Sequence, residues 1–380
     1  MKFFQNLVQN QKVKPFLYIF LIFIITRLIT GYLGYVSFKL IEPLNKGNYV
    51  WTYVPNKVLD IWGVWDSGFY LDIADNGYST IISTVPATLN QANYAFYPLY
   101  PLIIRAGIQV GITPLHMAIF VSNLFLLLAS IMLFLVVKQE HSEKAAYNSI
   151  FFLYAFPTAF ILSSVYTESL FLFLSITAFY FINKRSFLIA SIFGTLAALT
   201  RSVGVLLLIP MVLTILKTKQ SYFMKISHFM QSLLIPLGSL IFILYIGNLT
   251  GSLKSTFSIQ TSWERTLKFP LLYVIDGLHS NLFQHNFTAL FVLATVLLFF
   301  IIFRNLNRNY IIYSIALFLI PLSTALTSMP RFILIIFPLF IGLGVLEEKH
   351  PSLGKLILMV TALLQGFMLV FWTSGFDLLM

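Results

Sequence analysis

The sequence predicts an all-α polytopic membrane protein. Mean hydropathy is +0.87, with 58% of residues apolar and 10% charged, a balance outside the range of soluble domains. Apolar runs recur from Pro15 almost to the last residue. They lack the strict alternation of membrane β-barrel strands.

The 380 residues are expected to form one membrane domain, since no polar stretch is long enough for a second globular unit. Cysteine is absent, which excludes disulfides, zinc-thiolate sites and thiol nucleophiles together. The first apolar run, 16–38, follows Lys2, Lys12 and Lys14 as in a signal sequence. It is too long for a signal-peptide core and has no small-residue cleavage site, so it reads as a retained first span. Further spans follow at 115–137, 146–163, 167–183, 186–200, 203–216, 231–247, 287–303, 309–327, 331–346 and 355–373, about 11 in all. Several are shorter than the roughly 20 residues a crossing helix needs, so they must extend into flanking loops. The run AFYPLYPLIIRAGIQVGI, 95–112, carries Pro98, Pro101 and Arg105 and is amphipathic. It is expected to lie along the membrane interface.

Charge supports that placement. With 95–112 not crossing and the N-terminus inside, 14 basic residues fall on the inner side. Nine fall outside: Lys39, Lys46, Lys57, Arg105, Arg201, Lys254, Arg265, Lys268 and Arg331. A crossing would reverse every later loop, against the positive-inside rule. The net charge of +11 is therefore a topology signal, and no nucleic-acid partner is expected. Two larger external loops result, 39–114 and 248–286, and nine of the 13 acidic residues lie outside. No repeat of 20–50 residues and no inverted duplication is visible, which weakens a transporter reading.

The acids concentrate in VWDSGFYLDIADNGY, 64–78, with Asp66, Asp72 and Asp75. In a helix over 65–76, Asp66, Tyr70 and Ile73 share one face, while Asp72 and Asp75 share another. Gly77 suits a C-cap. Asp72 and Asp75 read most simply as hydrated acids of an interfacial helix. Asp66 is either a working carboxylate or an N-terminal helix cap, and spacing leaves both open. Glu168 starts an apolar helix, where a charge is costly unless paired. Arg27, inside the first span, has no evident partner. The six histidines show no metal-ligand spacing, so no metal is expected.

The stretch W-D-S-G-F-Y-L-D-I-A-D-N-G-Y resembles the W-D-x-x-x-(F/Y)-x-x-I-A-x-x-G-Y signature of the PIG-V family. These are the mannosyltransferases that add the second mannose in GPI-anchor synthesis, with their bacterial relatives. AFYPLYPL (95–102), VYTESLF (165–171), TRSVG (200–204) and PRFILIIFP (330–338) resemble further family segments in the same order, across about 270 residues. Phe69 stands where eukaryotic members tend to carry histidine, and Val203 replaces the asparagine of R-S-N-G. Both departures bear on the acceptor.

The resemblance implies a GT-C glycosyltransferase: a helical bundle with interfacial helices in the first external loop and a catalytic Asp early in it. Asp66 would be the base. The donor would be a sugar, mannose by analogy, on a polyprenyl phosphate. The acceptor would be a lipid-linked or cell-surface glycan, and membrane lipids would surround the enzyme. Arg201 and Arg331 are the expected phosphate ligands, because a guanidinium grips phosphate with two parallel donors. Lys254, Arg265 and Lys268 come next. Tyr70, Glu168 and Trp263 are candidate supporting or sugar-binding residues. No cofactor and no metal is expected, since one carrier phosphate brings little charge. The expected location is the bacterial plasma membrane with the site on its outer face, or the lumenal face of the ER membrane in a eukaryote. The rival reading is a lipid or glycolipid transporter without transferase chemistry; a third is a silent scaffold of envelope enzymes.

Overall fold

The computed structural model describes residues 13–41, 59–84, 88–376 and 378. Lys2, Lys12, Lys46 and Lys57, which entered the charge count, lie outside them, as does much of the early part of the 39–114 loop. The described residues form helices and connecting loops, with no strand among them.

Helix α1, Lys14–Leu40, starts with proline in its first turn, where the missing N–H costs nothing. Its 27 residues extend about 40 Å at 1.5 Å per residue. The 39–114 segment contributes two short helices among its described residues, α2, Ser67–Asn76, and α3, Leu99–Ile108. At 10 residues each, or about 15 Å, neither can cross a bilayer. Run 95–112 is thus a short helix packed beside α2 and under α4, Pro114–Glu140.

There follow α5, Glu143–Ala155, α6, Glu168–Asn183, α7, Phe187–Ala198, and α8, Leu208–Lys217. Next come α9, Tyr222–Ser232, and α10, Leu234–Thr250, which run on as one apolar rod. After a loop come α11, Pro270–Leu278, α12, Phe283–Ile302, and α13, Arg308–Leu322. The chain ends with α14, Met329–Leu334, α15, Phe337–Lys349, and α16, Pro351–Thr373. Every predicted span coincides with a helix or a broken pair of helices. Among the described residues, five helices are long and apolar enough to cross a membrane: α1, α4, α9 with α10, α12 and α16. The others are shorter, so the structure does not fix the number of crossings at 11.

The long helices form the rim. Leu28, Tyr32, Leu297, Phe300 and Leu363 are exposed on them, as expected of surfaces meeting acyl chains. The centre is made of α5, α6, α14 and α15, most of whose side chains are buried away from their polar ends. Helices α5 and α15 approach closely because Gly344 faces Ser149; a Cβ there would lie 2.2 Å from Ser149 Oγ. Small residues at such a contact let two backbones pack without a driving force from lipid.

Two irregular segments sit in this centre. The predicted span 146–163 is broken after Ala155, and 3-10 turns carry the chain to Ser163. Span 331–346 is broken at Ile335–Ile336. Irregular backbone survives at membrane depth only when buried in protein with its polar groups satisfied. Gln365 Nε2 donates to the carbonyls of Tyr154 and Phe156, and Thr158 Oγ1 to that of Pro330. Arg27 finds its partners here too: Nη1 donates to the Ala159 carbonyl and to Ser163 Oγ, and the guanidinium lies over Tyr154.

The loops group at two ends of the bundle. At one end Lys138 pairs with Glu143, Ser142 donates to Glu348, Asn183 and Asn307 donate to Glu140, and Lys349 donates to Asn305. The other end gathers the acidic stretch, Glu168, Arg201, the 251–269 loop and Arg331.

Candidate active site

Asp66 is placed by a tightly held turn. The carbonyl of Ile61 accepts from Trp372 Nε1 at 2.8 Å, that of Trp62 from the Val165 N–H at 2.9 Å, and that of Val64 from the Tyr166 hydroxyl at 3.1 Å. Trp65 then takes a left-handed conformation, φ 55°, costing roughly 1–3 kcal/mol for a residue with a Cβ. The three bonds from outside the turn stabilise it.

Asp66 occupies the N-cap position of α2, yet its side chain makes no capping bond. The carboxylate points instead to Arg331, with 3.4 Å between Nη1 and Oδ2. The capping alternative is thereby removed. Arg331 also donates Nε and Nη2 to Glu168 Oε1, each at 3.3 Å, and lies flat over the Tyr166 ring at 4.3 Å. Arg201 Nη1 meets the same Glu168 oxygen at 2.9 Å and Thr167 Oγ1 at 3.0 Å. The Glu168 side chain is 0% exposed, Arg331 6%, Arg201 12% and Asp66 19%. A fully buried carboxylate thus clamps two arginines, while the carboxylate of Asp66 keeps an open side.

Each partner arrives by a local device. Glu168 opens α6 straight after the first break, so the break delivers Tyr166, Thr167 and Glu168 together. Arg201 ends α7 in extended backbone, and Gly204 folds the chain back against that helix; a Cβ there would lie 2.4 Å from Ala197 C. Ser328, φ 62°, starts the turn that inserts Arg331. Phe332 follows, and both Arg201 and Arg265 lie over its ring, at 5.3 and 5.2 Å.

Tyr70 is buried one turn along α2, with its ring 5.0 Å from Phe96 and 5.5 Å from Tyr100. Burial pushes its hydroxyl up to about 12. Burial, opposed by Asp66, pulls the Arg265 guanidinium down to about 10. At neutral pH the first stays protonated and the second charged. Trp263 is half-buried against Phe69 and Phe96, at 5.9 and 5.6 Å, and roofs the aromatic side of the site.

Asp75 is exposed, as expected. Asp72 differs from the hydrated acid expected: its Oδ2 accepts from Asn93 Nδ2 at 2.8 Å, tying α2 to the approach of α3. Gly77 caps α2 with φ 86°. Lys254 is exposed, and Lys268 pairs with Asp276 at 3.7 Å, away from Asp66. The sequence did not single out Phe332, whose ring contacts Arg201 and Arg265, or Trp372, whose indole N–H contacts the Ile61 carbonyl. A separate polar cleft of about 520 Å³ lies at the opposite end, with Glu140, Lys184, Arg185 and Lys217 in its wall.

The fold has solved counterparts. ArnT from Cupriavidus metallidurans, determined bound to undecaprenyl phosphate, is similar with a TM-score of 0.52 and 11% identity, over 94% of this chain and 76% of that one. The oligosaccharyltransferase of Archaeoglobus fulgidus is a looser likeness, TM-score 0.45 and 16% identity, over 93% of this chain; the chain spans about half of that enzyme, 53%. No curated protein sequence gives a significant match. The architecture is that of the GT-C membrane glycosyltransferases. The profile of the mannosyltransferase (PIG-V) family matches residues 13–246, more than half of the chain. The protein belongs to that family, and it is a glycosyltransferase of the membrane.

Proposed function

We propose that the protein transfers a mannose from a polyprenyl-phosphate carrier to a lipid-linked or surface glycan, with inversion at the anomeric carbon. The observation that carries this reading is the uncapped Asp66 carboxylate, held 3.4 Å from Arg331 at the edge of an arginine cluster. A sugar hydroxyl is a weak nucleophile, and a positioned carboxylate removes its proton as the new bond forms. The acceptor oxygen bonds to the anomeric carbon while the bond from that carbon to the phosphate oxygen breaks. The proton goes to Asp66, and the electron pair leaves on the polyprenyl phosphate. That group leaves without a general acid, and guanidiniums meet its charge in a low-dielectric site. No metal is required in this scheme.

The undecaprenyl phosphate in ArnT supports a lipid-phosphate donor here, and the family supports mannose. The positive-inside argument favours the outer face for the reaction. Purified protein in lipid nanodiscs, given labelled mannose on a synthetic polyprenyl phosphate, should glycosylate a lipid-linked glycan acceptor. GDP-mannose should not replace that donor. Use of GDP-mannose with no turnover of the lipid donor would overturn the proposal.

A further inference from the structure

The three arginines of the site are not equivalent. Arg331 is committed to both carboxylates, Asp66 and Glu168. Arg201 is committed to Glu168 and Thr167. The buried Nε of Arg265 has no hydrogen-bond partner, and no ion pair joins Arg265 to a carboxylate among the described residues. A buried donor on a charged group is costly to leave unpaired.

Arg265 is nevertheless firmly placed. Ser262 Oγ donates to the Asn90 carbonyl at 2.7 Å, and the N–H groups of Thr266 and Lys268 donate to Thr324 and Ser323, each at 2.9 Å. The segment is thus fastened on both sides of Arg265, and Trp263 is packed on Phe69 and Phe96 just before it. Phe332 brings the Arg265 and Arg201 guanidiniums over one ring. Like charges gathered at one ring repel, and an anion between them relieves the repulsion. Among the described residues of this cluster, two carboxylates stand against three guanidiniums.

The geometry points to Arg265 as the residue that receives the carrier phosphate, with Arg201 beside it, and to Arg331 as the positioning residue of Asp66. This rests on the transferase reading above and changes its division of labour: the phosphate is gripped from the 251–269 loop and not by the buried arginine of α14. The ligand is a phosphate monoester or diester on a long apolar chain that reaches the site from the bilayer.

Binding of undecaprenyl phosphate to the full-length protein in nanodiscs tests it, with undecaprenol and inorganic phosphate as controls. Arg265→Gln should weaken undecaprenyl phosphate binding about ten- to a hundred-fold, the loss expected for charge-assisted hydrogen bonds. Arg265→Lys should lose less, and an unchanged melting temperature shows that either variant is folded. Arg331→Lys should keep binding within about threefold of wild type while turnover falls, a split that a merely structural defect does not give. Wild-type affinity in Arg265→Gln, with Asp66→Asn still inactive, would overturn this inference and leave the transferase reading standing. Equal binding of undecaprenol would overturn both. Displacement by inorganic phosphate at equal concentration would mean a seat for free phosphate, against the lipid carrier.

Discussion

Asp66 and Arg331 are paired at 3.4 Å. The carboxylate makes no helix cap, and the guanidinium is buried with two acidic partners. Arg331→Lys keeps the charge but loses the planar fork that spans Asp66 and Glu168. It should lower kcat at least tenfold, with donor KM little changed, measured on the nanodisc-reconstituted enzyme. Asp75→Asn should leave turnover within about twofold, since that side chain faces solvent. Asp72→Asn should cost about 1 kcal/mol through its weakened bond to Asn93, seen as a lower melting temperature with transfer retained. Asp66, Glu168, Arg201 and Arg331 were legible in the sequence because each is a rare charge beside a family-like motif. Arg265 ranked only behind them, because its neighbours Trp263, Glu264 and Lys268 carry no pattern separating it from an ordinary polar loop. Its proposed role draws on Phe332, 67 positions further along.

At the level of elements, breaks in helices build the site. The break after Ala155 turns the chain so that Tyr166 and Glu168 reach the turn at 61–66, and Pro157 within it lacks the N–H a continuous helix would use. That proline was the available signal, yet the apolar run through it read as one span because hydropathy does not register backbone direction. The Trp372 indole reaches back from α16 to the Ile61 carbonyl, a contact across the whole chain that no local pattern reveals. Trp372→Phe should leave that carbonyl unpaired, at about 1–3 kcal/mol, and loosen the strained Trp65 turn. Transfer should drop while the protein still inserts; wild-type activity in this variant would remove the turn from the account. Gly204→Ala must push a methyl into the Ala197–Ala198 backbone. It should cost about 1–3 kcal/mol, read as a lower melting temperature.

For the molecule as a whole, the sequence supplied the class, the helical positions and the sorting of loops to two ends, because hydropathy and charge are summed over many residues. It could not supply the number of crossings, since the short central helices are buried by protein and need not match bilayer thickness. Labelling of single cysteines with an impermeant thiol reagent measures the sidedness. Cysteine at Asp75, Glu264 or Asp276 should react from outside, and at Lys144, Lys219 or Arg308 only after permeabilisation; all six positions are exposed. The reverse pattern would move the reaction to the inner face. Asp66 is proposed as the base of a lipid-donor mannosyl transfer. Its most direct test is turnover of polyprenyl-phosphate mannose by Asp66→Asn protein whose melting temperature and undecaprenyl phosphate binding match the wild type. The amide preserves shape but cannot take the proton, so the rate should fall by about 10²–10⁴-fold. A rate within a few-fold of wild type would contradict the account.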